Sequence, residues 1–259
     1  MAPVTIPADV AGALAHAGDR LGIFARRTLW YDEVGSTNDV AGALADRGAE
    51  EGVVVIADRQ TAGRGRLGRS WASPAGAGIY VSVILRPSSD AAALLTIAAG
   101  VAIADGIESA TGLRVHLKWP NDVQVEGRKL AGILAEGAAQ HVVLGVGINV
   151  LPAAFPPDVA ARATSLEGEL GRPVERGLVL AECLASLAAR YGQLHDEGGH
   201  RLLAAWRRRA VSTLGRRVEW ESGGSRHVGQ AEDIDEDGAL VVKSGPEVVR
   251  IRSGEVRWL

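Results

Sequence analysis

Over the first 150 residues, apolar positions alternate with polar ones or gather in short β-branched bursts, a pattern that predicts a sheet with a few helices set into it. A strand at 28–34 is followed by Ser36-Thr37-Asn38, residue types that cap helices, then by a helix running to about Asp46 and ended by Gly48. Strands at 53–57 and 79–85 come next, the second rich in β-branched residues. Ser89-Asp90 opens a long alanine-rich helix reaching about Ala110. Strands at 113–118, 123–125, 130–135 and 142–150, joined by tight turns such as Glu126-Gly127-Arg128, predict a meander.

Pro152, Pro156 and Pro157 break the pattern, and helices at 175–196 and 200–212 follow, expected to cover the sheet from one side. From Gly215 the chain changes to short strands with glycine turns, at 217–221, 227–234, 240–243, 248–252 and 256–259. The expected fold class is therefore α+β, a mixed β-sheet with helices on one side over residues 1–213, plus a small C-terminal SH3-like β-barrel over 214–259. A short helix at 9–17 reads as packing or a frayed lead-in.

Composition narrows the function classes. A hydrophobic fraction of 47% in 259 residues suffices for a sizeable core. A net charge of -3 argues against general binding to nucleic acid or membrane surfaces, which calls for a basic excess. The lone Cys183 excludes an intramolecular disulfide and, on an apolar helical face, reads as a core residue; a reducing compartment, the cytoplasm, fits best. Pro3, Pro7 and Asp9 interrupt any leader sequence, and the weakly polar stretch 94–107 is too short to span a bilayer. The histidines lack metal-ligand spacing, so no metal site is expected from protein side chains alone.

The candidate chemistry lies in two clusters. Gly63-Arg64-Gly65-Arg66-Leu67-Gly68-Arg69-Ser70-Trp71 alternates guanidinium donors with glycines that allow close backbone approach, the composition of an anion-binding loop. Lys118-Trp119-Pro120-Asn121-Asp122 matters because the chain has only three lysines against 25 arginines, and two of them, Lys118 and Lys129, lie close together. A compact ammonium suits a reacting oxyanion. Asp122 alone is an ordinary turn carboxylate, whereas Asn149, at the end of the apolar run Gly145-Val146-Gly147-Ile148-Asn149, needs a partner and is a candidate ligand contact.

In order along the chain, Ser36-Thr37-Asn38, the segment from Arg59-Gln60-Thr61-Ala62 through Trp71, Lys118-Trp119-Pro120-Asn121-Asp122, Lys129-Leu130-Ala131-Gly132-Ile133-Leu134-Ala135-Glu136 and Gly145 to Asn149 resemble the biotin protein ligase family. The resemblance implies a catalytic core similar to class II aminoacyl-tRNA synthetases and biotin and lipoate ligases. It implies an enzyme that activates biotin with ATP and Mg²⁺ to biotinyl-5'-AMP, then biotinylates one lysine of the biotin carboxyl carrier domain of acyl-CoA carboxylases. Lys118, Arg64 and Arg66 would be catalytic. Biotin would meet Ser36, Thr37, Asn38, Gln60, Gly63, Arg64, Gly65, Arg66, Lys118 and Gly132; the adenylate would meet Arg66, Arg69, Trp71, Lys118, Asn121 and Asn149.

The first catalytic strand begins near Thr28, which leaves no room for the N-terminal DNA-binding domain of bifunctional relatives. The expectation is a monofunctional ligase with no nucleic-acid or membrane partner, as a monomer or weak homodimer. The arginine-glycine loop should be mobile when empty and ordered over the adenylate. Lipoate attachment and a non-catalytic biotin or nucleotide sensor remain the competing readings.

Overall fold

A computed structural model of the protein describes residues 2–196, 199–252, 254 and 256–259. Its main sheet contains β1 (Arg27–Val34), β2 (Val53–Gln60), β3 (Gly78–Leu85), β4 (His116–Lys118), β5 (Asp122–Val125), β6 (Arg128–Gly137) and β7 (Val142–Asn149). The order is β1-β2-β3-β7-β6-β5-β4, with β1 and β2 parallel and every other pair antiparallel. The sheet is thus mixed, as the sequence predicts.

Alternation along the central strands sends side chains to two apolar layers. Val54, Ile56, Val81, Val83 and Leu85 face α3 (Ser89–Thr111) and α5 (Arg176–Asp196), while Val53, Val55, Ala57 and Ile84 meet α2 (Thr37–Asp46) on the opposite face. The expectation of helices on one side holds for α3 and α5, with α1 (Ala8–Ala17) and α6 (His200–Arg209) laid against them. Helix α2 is the exception, because it makes the crossover between the parallel strands β1 and β2. It covers only part of its face: Asn38 of α2 lies over Gly145, whereas Gly132 and Gly147 are met by the Trp71 side chain instead of a helix.

Helix α3 has 23 residues, longer than the apolar stretch 94–107 suggests, and by length and composition it could cross a bilayer. Its apolar window is 72% buried inside the protein, so it is the core helix. Gly106 lets it approach α5 closely: a β-carbon there would lie 2.5 Å from Cys183 Cα. Cys183 is buried, and burial pushes its thiol pKa up, consistent with a core role. The N-terminal segment is not frayed. Helix α1 packs on α5, and the tight turns after it place Arg20 on Glu182 at 2.7 Å, which also accepts from Ser109 at 2.9 Å. A short helix, α4 (Leu166–Leu170), was not apparent in the sequence; Ser165 caps it.

The C-terminal strands β8 (Arg217–Ser222), β9 (Ser225–Ile234), β10 (Leu240–Ser244), β11 (Glu247–Ile251) and β12 (Val256–Trp258) form an antiparallel sheet in the order β11-β10-β9-β8-β12. It is a meander whose last strand returns beside its first. Val218, Trp220, Ala231, Leu240 and Val242 fill it and join the apolar core of the main sheet without a break.

Candidate active site

Ser36 stands at the N-cap of α2 with extended backbone, yet its side chain makes no capping bond. Gln60 supplies the acceptor instead: its Oε1 takes the Thr37 N–H at 2.8 Å and lies 3.0 Å from Thr37 Oγ1. The Ser36 hydroxyl therefore lines the cavity rather than closing the helix. Gln60 Nε2 donates to Ser73 Oγ at 2.9 Å, and Ser82 Oγ donates to Asn38 Oδ1 at 2.6 Å while lying 2.7 Å from Thr37 Oγ1. Asn38 Nδ2 donates to Glu136 Oε2 at 2.6 Å. The heads of Thr37, Asn38 and Gln60 are each held by these bonds, and a β-carbon on Gly145 would collide with the Asn38 amide.

The arginine-glycine segment folds as a small hairpin. Trp71 N–H donates to Gly63 O at 2.9 Å, and Gly65 N–H to Arg69 O at 2.7 Å. Of its three glycines only Gly68 uses a positive φ, beside the exposed Leu67 at φ 58°. Gly63 is required for a different reason: a β-carbon would strike the Trp71 carbonyl. Arg64 ties the hairpin to α2 and β6 through Asp39 and through Glu136 Oε2 at 2.8 Å, bonds that raise its pKa. The Trp71 ring lies on the paired Gly132 and Gly147, where either β-carbon would displace it. Its Nε1–H is buried without an acceptor among the described residues, a donor left for a ligand.

Positive charge collects at one end of the cavity. Lys129 Nζ lies 2.6 Å from Asp122 Oδ1 and 5.2 Å from the centre of the Trp71 ring. Arg66 is pushed down from the ordinary arginine range, first by burial; Asp122 opposes that shift and Arg69 adds to it. Lys118 is lowered, also chiefly by burial, with Asp122 raising it and Lys129 and Arg216 lowering it further. Asp122 is thus the carboxylate that three cations share.

The comparisons with known proteins agree with this geometry. Residues 33–149 match the Biotin/lipoate A/B protein ligase family, and residues 213–257 match the Biotin protein ligase C terminal domain. The chain is 42% identical over 232 residues to the Mycobacterium tuberculosis biotin--[acetyl-CoA-carboxylase] ligase, an alignment covering 86% of each. It is 33% identical to the Bacillus subtilis bifunctional ligase/repressor BirA over 95% of this chain and 79% of that one. The chain belongs to the biotin/lipoate A/B protein ligase family. Its structure is similar to the Aquifex aeolicus biotin protein ligase in complex with biotin and ATP, with a TM-score of 0.80 and 28% identity over 90% of this chain and 99% of that one.

In this family member, the fold brings Ser36, Thr37, Asn38, Gln60, Arg64, Gly65, Arg66, Trp71, Asn121 and Gly132 onto one cavity wall. Gly63 sits behind Trp71, and Lys118, Arg69 and Asn149 lie outside that wall. Asn149 gives its amide to Thr164 O at 2.9 Å, and Asn121 brackets Ile133 through Nδ2 to its carbonyl at 2.7 Å. Two site residues are missing from the sequence expectation. Lys129 lines the cavity, and its signal was the rarity of lysine together with the Lys129-Leu130-Ala131-Gly132 motif. Ser82, fully buried in an otherwise apolar strand, orients Thr37 and Asn38, and a lone hydroxyl in such a run was its signal.

Proposed function

We propose that this chain is an ATP-dependent biotin protein ligase: it activates biotin to biotinyl-5'-AMP and transfers the biotinyl group to a lysine of a carboxyl carrier domain. The observation that carries the reading is the meeting of a polar corner, Ser36, Thr37, Asn38 and Gln60, with Lys129 and Arg66 on the same cavity wall, and with Lys118 outside that wall but joined to both through Asp122. The corner suits the ureido head of biotin, which presents both donors and acceptors. The cations suit a carboxylate that must approach phosphates.

In the first half-reaction a biotin carboxylate oxygen attacks the α-phosphorus of ATP and pyrophosphate leaves. Bringing these anions together costs energy that Lys129, Lys118 and Arg66 offset in a partly desolvated site. Lys129 would turn from Asp122 to the carboxylate, and Arg69 would meet the phosphates from the hairpin. In the second half-reaction the acceptor amine attacks the activated carbonyl and AMP leaves. Asn149 and Asn121 would act on the adenylate side chiefly by fixing the backbone around Lys129 and Ile133.

The Mg²⁺ that accompanies ATP fits this set. Mg²⁺ is ordinarily held by one or two carboxylates together with substrate phosphates, and Asp122 is the carboxylate at hand. Among the described residues no three ligating side chains gather, so the phosphates would complete its coordination.

The cavity over the glycine floor measures only about 50 Å³, far below the ~300 Å³ at which ligand pockets begin. Trp71 and its hairpin must therefore shift to admit biotin, which supports a loop that opens and then closes over the adenylate to exclude water. A second cleft of about 470 Å³, between the start of α3, Trp119-Pro120 and the Gly238 turn, shares Arg66 with the site and would offer the acceptor lysine of the carrier domain a route in. We read residues 1–213 as the catalytic unit and 214–259 as the barrel that borders this cleft, with the reaction placed in the cytoplasm. Biotin-dependent exchange of labelled pyrophosphate into ATP tests the activation step; exchange that ignores biotin contradicts it.

A further inference from the structure

Lys118 ends β4 at the edge of the main sheet, and the C-terminal region surrounds it. Thr213, fully buried, accepts the Trp119 N–H at 3.0 Å and donates to Leu117 O at 3.4 Å, so the backbone on both sides of Lys118 is bonded to one hydroxyl. Trp119 Nε1 donates to Gly238 O, in the turn between β9 and β10, at 3.0 Å. The Lys118 ammonium itself lies 5.6 Å from the centre of the Trp258 ring, within cation–π range. Trp258 belongs to β12, where it pairs with Val218 of β8, and Leu259 N–H donates to Arg217 O at 3.0 Å, so the ring is carried on a paired strand.

We propose that Trp258 is a positioning residue for Lys118: its ring face holds the ammonium charged and aimed at the reacting phosphate, which makes the last strand of the barrel part of the active site. The reason is electrostatic. The charged groups acting on Lys118 are Asp122 of β5, Lys129 of β6 and Arg216 ahead of β8, one anion against two cations. Asp122 is already engaged by Lys129 at 2.6 Å. A half-buried ammonium so placed is inclined to turn away or lose its proton, and the negative face of an indole opposes both without adding a carboxylate that would repel ATP.

The inference rests on Lys118 acting in the first half-reaction. The test is therefore a double-mutant cycle on the whole chain, read by biotin-dependent pyrophosphate exchange across pH, with Trp258→Leu, Trp258→Phe, Lys118→Gln and the double variant Lys118→Gln/Trp258→Leu. Trp258→Leu should lower kcat about tenfold with the KM for biotin unchanged, and should move the alkaline limb of kcat to lower pH. Trp258→Phe, which keeps a ring face, should recover most of both. Adding Trp258→Leu to Lys118→Gln should cost nothing further. Full activity in Lys118→Gln would remove the role of Lys118 and this inference with it. An inactive Lys118→Gln alongside a Trp258→Leu with the parent's rate and pH limb would overturn the Trp258 role alone, as would a Trp258→Phe as impaired as Trp258→Leu.

Discussion

The ammonium of Lys129 rests 2.6 Å from the carboxylate of Asp122, and that pair is the hub of the charged end of the site. On the proposed reading a biotin carboxylate would compete with Asp122 for this ammonium, and Lys129, on the cavity wall, would receive it. Lys129→Gln should cut adenylate formation by about 100-fold or more, the scale of losing one oxyanion partner. Lys129→Arg should not restore it, because Gly132 and the Trp71 ring crowd the lysine stem. Pyrophosphate exchange measures both; an arginine variant at the parent's rate would contradict the assignment.

Ser82 carries the polar corner from below. Ser82→Ala removes the donor to Asn38 Oδ1 and the neighbour of Thr37 Oγ1 in a fully buried place. The expected cost is about 1–3 kcal/mol in unfolding free energy, with biotin affinity falling about tenfold. Denaturant melts and calorimetric biotin titration check the two effects. Unchanged biotin affinity would show that Thr37 and Asn38 orient themselves without it.

The hairpin should respond to ligand. Biotin with ATP should protect Arg64, Arg66 and Arg69 from trypsin, and Gly147→Ala, whose β-carbon displaces the Trp71 ring, should expose them even with ligand present. Gly147 has an ordinary φ, so the strand backbone accepts alanine, and any fall in melting temperature should reflect only the lost packing of the displaced Trp71 ring. Mass spectrometry of timed digests reads the outcome; cleavage indifferent to both ligand and substitution would end the idea of a closing loop.

Lys118 gives the site a pH dependence. Burial lowers its pKa in the folded protein, whereas the unfolded chain holds the proton at the ordinary lysine value, so the unfolded state binds more protons between the two. Folding stability should therefore rise with pH through that alkaline window, while activity that needs the ammonium falls across it. Denaturation curves and kcat at matched pH test this, and both trends should vanish in the stability and residual activity of Lys118→Gln. Parallel falls in the parent's stability and activity would contradict the sign.

Much of this molecule was legible in its sequence. The strand pattern of 28–34, 53–57 and 79–85 reads directly because alternation and β-branching are local properties, and the five short barrel strands read for the same reason. Helix α2 lay on the unexpected face because facing depends on the β1–β2 crossover, which sequence periodicity does not encode. Ser36 was read as a cap, but Gln60, 23 positions away from Thr37, supplies the acceptor. Lys129 was visible as a rare lysine, yet its place beside Asp122 depends on the β5–β6 pairing, and the approach of Trp258 to Lys118 depends on how the barrel docks.

The most direct test of the whole account is the intact mass of an apo biotin carboxyl carrier domain incubated with the protein, ATP, Mg²⁺ and either biotin or lipoate. The account predicts a single biotin adduct that requires ATP and is lost in Lys129→Gln. A lipoate adduct in its place, or no adduct with either acid, would contradict it.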